Sequence, residues 1–333
     1  MKRILALTLV LLLSLSLLTA CGGKKSDKIV IGAIYASIDE GFWGTNYEGF
    51  LKRIEELGCE QITLVAEGDA NKQNDQMKNL ISQKVDAIVV VAVDGSAIVS
   101  AVKEAQAAKI PIVMNNRPMQ GNEATAEYAI LSDNEMMTYN QGTWLAEHAR
   151  ATNQKFNLCL IVGNLADENI VQRANGMRKA VEENPDVLSI VVEVPTKTND
   201  EVLAGVQNAM QAYPTIDTIV IPADGQIPSV QSALEQIDRW KPVGDPKHIT
   251  FLTFDGHWFA MQGIDLGFVD CTAIQDCYGA GYKSADWAYR LAKGEKPPQL
   301  IDLDPGYLAY TENFADVRES VWGWPLYLKN KDA

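Results

Sequence analysis

The chain has 333 residues, 47% of them hydrophobic and 22% charged, which predicts an ordered globular protein long enough for two domains. A net charge of −14 argues against nucleic acid as a partner, because binding a polyphosphate takes a basic footprint.

Lys2 and Arg3 precede an apolar run over 4–18, and the run ends in Leu18, Thr19, Ala20, Cys21 and Gly22. This has the form of a secretory signal with small residues before the cut, expected over 1–20. Cys21 after small residues resembles the bacterial lipobox, which implies lipidation at Cys21 as the mature N-terminus. Several acyl chains anchor a protein stably, so the mature chain is expected to be tethered to the membrane through lipid, with no spanning helix. The polar stretch 21–27 suits a short leash.

From residue 28 onward short β-branched runs alternate with helical patterns, the signature of βαβ units. Strands are expected over 29–35, 62–66, 87–91 and 112–115, with helices over 46–57, 71–83 and 97–108 between them. A second series follows Ser132, with helices over 136–149, 171–183, 201–212 and 227–237 and strands over 157–162, 189–194, 218–222, 249–254 and 272–274. A helix over 279–293 ends before Pro297 and Pro298, and 301–303 is extended. The fold class is therefore α/β, with two doubly wound parallel-sheet lobes. Since no long linker parts them, several short crossings should form a hinge. The expected lobes are 28–131 plus 276–303 and 132–275 plus 304–333.

Cys59, Cys159, Cys271 and Cys277 match no zinc spacing. Cys59 and Cys159 read as buried small hydrophobes, and whether Cys271 pairs with Cys277 is left open. In open α/β sheets ligands bind beyond the carboxyl ends of strands, so the residues there are the candidates for a site. They are Asp39 to Trp43, Asn115 to Pro118, Glu168 and Asn169 with Arg173, Phe254 to Gly256, and Gln275.

These positions resemble the type I periplasmic binding proteins, the branch that binds ribose, galactose and related sugars, over nearly the whole mature chain. The resemblance implies that Phe42 and Trp43 stack on a sugar, that Asn116 and Arg117 bind it from the first lobe, and that Arg173, Asp255 and Gln275 bind it from the second lobe and the late crossing. Sugars offer C–H faces to flat aromatics and hydroxyls that need donors and acceptors, which these side chains supply. Glu40 stands where the ribose-type pattern has an amide and faces either ligand or solvent. Asp224 lies beside Ala223, where that pattern has an asparagine, and is a further candidate. Trp258 is either a second stacking wall or a cover of the hinge. Trp322 and Trp324 are read as packing the tail against a lobe.

The resemblance implies a small sugar or sugar-like ligand and an ABC transporter permease as partners, with the protein a monomer outside the cell membrane. A sugar acid and a role as a ligand-presenting sensor subunit stay open. No calcium loop, metal or cofactor is expected. The chain lacks hydrolase-elbow, phosphate-loop and zinc-protease motifs, and its three histidines are scattered, so no catalytic residue is expected.

Overall fold

The computed structural model describes residues 28–39, 41–120, 126–165 and 167–331. The expected signal segment, Cys21 and Glu40 lie outside the described residues.

The first sheet is built from β1 (Val30–Tyr35), β2 (Glu60–Val65), β3 (Ala87–Val90), β4 (Ile112–Asn116) and β5 (Tyr128–Ser132). Helices α1 (Phe42–Leu57), α2 (Ala70–Gln83) and α3 (Val99–Ala107) connect its first four strands. After α4 (Asn134–Thr152), the second sheet takes β6 (Phe156–Gly163), α5 (Glu168–Glu183), β7 (Leu188–Pro195), α6 (Asn199–Ala212), β8 (Thr218–Val220), α7 (Ile227–Glu235), β9 (Thr250–Asp255), α8 (Trp258–Asp265) and β10 (Cys271–Ile274). The chain returns through α9 (Cys277–Ala292) to β11 (Ile301–Asp304) of the first sheet, then crosses again to β12 (Tyr307–Tyr310), α10 (Phe314–Val317) and α11 (Gly323–Asn330).

Strand order is β11-β5-β4-β3-β1-β2 in one sheet and β12-β10-β9-β8-β6-β7 in the other. All pairings are parallel except β10 with β12. In each sheet the order reverses between the first strand of its series and the third, and such switch points open a crevice at the carboxyl ends.

Alternation along the strands feeds two cores per sheet. Ala87, Val89 and Val91 pack with Phe50 and Trp287 on one face, whereas Ile88 and Val90 meet Met77, Leu80 and Val102 on the other. Cys159 and Ile161 likewise face away from Leu158 and Leu160. The chain passes between the sheets after β5, β10 and β11, so three short segments join them.

The structure adds β5, α8, β12 and the tail helices to the expected elements. It also starts α1 at Phe42 instead of residue 46, because Gly41, at φ 117°, turns the chain directly into the helix. Cys59, Cys159, Cys271 and Cys277 are all free.

Candidate functional site

The site begins with how β4 ends. Asn115 is fully buried and turned into the first lobe, where its Nδ2 donates to Asn46 Oδ1 (2.8 Å) while Asn46 Nδ2 donates to the Cys277 carbonyl (2.9 Å). The next residue leaves the strand. Asn116 adopts the left-handed region (φ 63°), which Asn tolerates better than most residues, and this points its side chain toward the second sheet.

There it joins a chain of buried polar groups from both sheets. Asn116 Nδ2 donates to Gln275 Oε1 (3.1 Å), and Asn169 Nδ2 donates to Asn116 Oδ1 (3.1 Å) and O (3.3 Å). Gln275, just past β10, passes the link on by donating Nε2 to Asp255 Oδ1 (2.6 Å). Asp255 pairs with Arg173 Nη1 (3.4 Å), and Arg173 Nε donates to Asn134 Oδ1 (2.8 Å) while Nη1 donates to the Pro222 carbonyl (2.6 Å). The Arg173 guanidinium also lies 3.8 Å from the centre of the Phe254 ring.

Burial sets the electrostatics of this chain. It pushes the Asp255 carboxyl up to about 6, although the Arg173 charge and the Gln275 hydrogen bond pull the other way. It also depresses Arg173, which neighbouring carboxylates oppose. Asp255 sits at φ 124°, a strained backbone position for a residue with a side chain.

Arg117 takes a different route along the same cleft. Its Nη1 donates to the Ala92 carbonyl (3.1 Å), its Nη2 lies 3.4 Å from Asp167 Oδ2, and its guanidinium lies 5.3 Å from the centre of the Trp43 ring. Asp167 also caps α5 by accepting from Asn169 N (3.0 Å). The two arginines of the cleft therefore each have a carboxylate partner.

Aromatic rings gather at one end. Phe42 and Trp43 meet edge to face at 4.9 Å, and Phe42 meets Trp322 edge to face at 5.9 Å. Trp322 also reaches His257 (5.6 Å), whose proton affinity burial pushes down to about 4, so that the ring is neutral and its Nδ1 accepts from Phe259 N (3.3 Å).

Phe42, Trp43, Asn116, Arg117, Arg173, Asp255 and Gln275 thus come together where both sheets present their carboxyl ends. Two expected site residues do not join them. Asp224 is fully buried beneath the turn after β9, accepting from Gly256 N and His257 N (both 2.8 Å) and from Thr272 Oγ1 (3.3 Å), so it holds the turn that carries Asp255. Trp258 packs against the core of the second sheet beside Phe259, its ring 4.0 Å away, instead of forming a wall or covering the hinge. Trp324 packs into the tail's core, but Trp322, read as a packing residue, lies at the cleft.

Asn134 and Asp167 carried a signal in the sequence only as helix-start residues. Their partners, Arg173 and Arg117, stand 39 and 50 positions away, and in the case of Arg117 on the other sheet. Among the described residues no group of three or more His, Cys, Asp or Glu is placed to hold a metal ion, and no helix is long and apolar enough to cross a membrane.

The sequence model of the periplasmic binding protein domain matches residues 31–296. The chain is 25% identical over 295 residues to the D-apiose import binding protein of Paraburkholderia graminis, covering 87% of this chain and 90% of that one. It is 25% identical over 309 residues to the ribose import binding protein of Bacillus subtilis, covering 89% and 96%. Among solved structures, an ABC transporter solute binding protein from Bacillus halodurans with bound myo-inositol superposes with a TM-score of 0.77 at 26% identity, covering 88% of this chain and 98% of that one.

Proposed function

The chain belongs to the periplasmic binding protein domain family, and from that premise we propose that it is an extracytoplasmic substrate-binding lipoprotein of an ABC importer. It captures a small neutral sugar or sugar-like polyol between two closing lobes and delivers it to a permease. The lobes are 28–131 plus 276–303 and 132–275 plus 304–333, the three crossings act as the hinge, and a lipidated Cys21 holds the monomer at the cell membrane.

One observation carries the reading. Asn169, Asn116, Gln275, Asp255 and Arg173 form a continuous polar chain that links the two sheets, and Phe42 and Trp43 pack edge to face in the same cleft, with Trp43 against Arg117. Amide and carboxylate groups of this kind accept and donate to hydroxyls, and an aromatic face covers the C–H side of a sugar ring. Their mutual pairing in the closed cleft is what a polyol would replace, hydroxyl by hydroxyl.

Charge favours a neutral ligand. Arg117 is balanced by Asp167 and Arg173 by Asp255, so a sugar acid would bring an unbalanced negative charge into a site already neutral. The names of the relatives, which are import binding proteins for apiose and ribose, support the same class.

The test is calorimetry and thermal shift on the mature protein with aldoses, polyols and cyclitols set against sugar acids and nucleosides. A binder should raise the melting temperature by mass action, about 2.7 kcal/mol at a hundredfold excess over Kd. Saturation by a sugar acid with no response to any neutral member would reject the proposed ligand class. Mass spectrometry of membrane-extracted protein tests the anchor, and a Cys21 free of acyl chains would remove it from the proposal.

A further inference from the structure

The matched family region ends at residue 296, yet the segment at 321–323 touches the turn that carries Asp255 at three successive residues. Val321 is fully buried and would meet any side chain at Gly256. Trp322 Nε1 donates to the Asp255 carbonyl at 3.0 Å. Gly323 lies so close to the backbone of Gly256, His257 and Trp258 that a Cβ there would overlap the Gly256 carbonyl oxygen. The segment is itself anchored, since Trp324 and Tyr327 are buried and Tyr327 donates to Asp265 Oδ2 (2.8 Å).

Trp322 also reaches across the cleft. Its ring meets Phe42, at the start of α1, at 5.9 Å, and His257 at 5.6 Å. Next to Phe42, a Cβ on Gly41 would stand 2.6 Å from His257 Nε2, so the two lobes are in direct contact at this edge. The Phe42–Trp322 contact therefore exists only when the lobes are closed.

We infer that Trp322 is a positioning residue: through its N–H it fixes the strained Asp255 turn, and through its ring it makes a lobe-to-lobe contact with Phe42 that favours closure. The tail beyond the matched region thereby becomes part of the binding apparatus. The inference takes the cleft of the proposed function as the site but needs no ligand for its test.

Hydrogen–deuterium exchange on the ligand-free full chain separates the two roles, because Trp322→Phe keeps the ring and loses the donor while Trp322→Ala loses both. Losing one net hydrogen bond speeds local opening by roughly three- to tenfold. In Trp322→Ala, exchange should rise by that order both in the peptide over 253–258 and in the peptide over 39–45 of the opposite lobe. In Trp322→Phe it should rise over 253–258 and stay near wild type over 39–45. Unchanged exchange in both peptides, or a rise spread evenly through the second lobe's core, would overturn the inference, the latter making Trp322 a packing residue only. Failure of the polyol screen leaves this exchange pattern untouched, so the two readings fail separately.

Discussion

Asn116 and Gln275 are joined side chain to side chain at 3.1 Å across 159 positions of sequence, and Gln275 in turn donates to Asp255. Gln275 sits at the crossing between β10 and α9, almost fully buried, so it ties the end of the first sheet's β4 to the end of the second sheet's β9. Gln275→Ala removes an acceptor from Asn116 and a donor from Asp255. With two buried groups left short of partners, the loss should be about 1–3 kcal/mol for each. Ligand-free protein should melt earlier by several degrees in calorimetry, and an unchanged melting temperature would show that the bridge carries no net stability.

Asp224 and Asp255 both follow strands and both carry a carboxylate, yet they should respond differently to truncation. Asp224→Ala strips the acceptor from Gly256 N, His257 N and Thr272 Oγ1 together, inside a fully buried site. The expected cost is on the order of 2–4 kcal/mol, since each orphaned donor adds its own penalty. Denaturant unfolding measures it. A variant as stable as wild type that has lost polyol binding would return Asp224 to the ligand.

Arg117 and Asp167 face each other from opposite lobes with about a quarter of each side chain exposed, so solvent screens the pair. Asp167→Asn keeps a good cap for α5 but removes the charge. The pair should be worth roughly 0.2–1 kcal/mol toward closure. Small-angle scattering of the ligand-free variant should give a larger radius of gyration at low salt, with the difference from wild type fading at high salt. A salt-independent difference would point away from this ion pair.

Much of this architecture was legible in the sequence, for reasons that also explain the gaps. Short β-branched runs and period-3.6 patterns located most of the elements, because burial on both faces of a parallel sheet leaves continuous β-branched runs between amphipathic helices. The helix α8 escaped because Trp258, Phe259, Ala260 and Met261 are apolar in a row, with no polar face to reveal a period. Strand β5 was missed because Ile130 is its only β-branched residue, so it lacks the run that marks its neighbours. At the site, residue type after a strand picked out Asn116, Arg117 and Asp255. It did not tell Asp224 from Asp255, since which carboxylate turns beneath the loop depends on backbone geometry, here a positive φ at Asp255. The pairing of Arg117 with Asp167 and of Trp322 with Phe42 is a product of two lobes meeting, which no local pattern encodes.

His248 offers a pH signature away from the cleft. Its Nδ1 lies 2.7 Å from the Lys241 carbonyl and its Nε2 3.0 Å from Asp270 Oδ2, so both ring nitrogens face acceptors and the geometry calls for the imidazolium. Burial works against that charge, but the Asp270 carboxylate and the Lys241 carbonyl outweigh it and raise His248 above 6.5. A raised histidine contributes stability in full below its unfolded value and loses it as pH rises through the folded value. His248→Gln should therefore melt earlier than wild type near pH 5.5, by an amount reflecting roughly 1.5–3 kcal/mol for hydrogen bonds to a charged group. The gap should narrow as pH rises beyond about 6.5. A gap of constant size across that range would mean that folding does not shift the titration of His248.

Asp255 ties affinity and stability to pH in opposite directions. Its carboxylate accepts from Gln275 and faces Arg173, and in the proposed site the charged form is the one that accepts hydroxyl hydrogens. Burial raises it from 3.8 to about 6. Taking up a proton below that value removes the charged acceptor, so wild-type affinity for a polyol identified by the screen should fall as pH drops through about 6, to the extent of a lost charged hydrogen bond, about 1.5–3 kcal/mol. Stability has the other sign. A carboxyl whose folded value is raised contributes stability that is fully present below its unfolded value of 3.8 and is lost as pH rises through about 6. Asp255→Asn keeps the shape and an acceptor for Gln275 but cannot titrate. Its affinity should be weaker than that of wild type by at least about tenfold at neutral pH, in line with a lost charged acceptor, and flat across the acid range. Its melting temperature relative to wild type should be highest at neutral pH and decline as the pH is lowered past about 6, because only the wild type gains from protonation. Calorimetric titrations and melting curves of the two proteins over one pH series give both profiles. Equal affinity of the two proteins at neutral pH would remove Asp255 from the binding site, while parallel melting curves would show that its burial does not shift its titration.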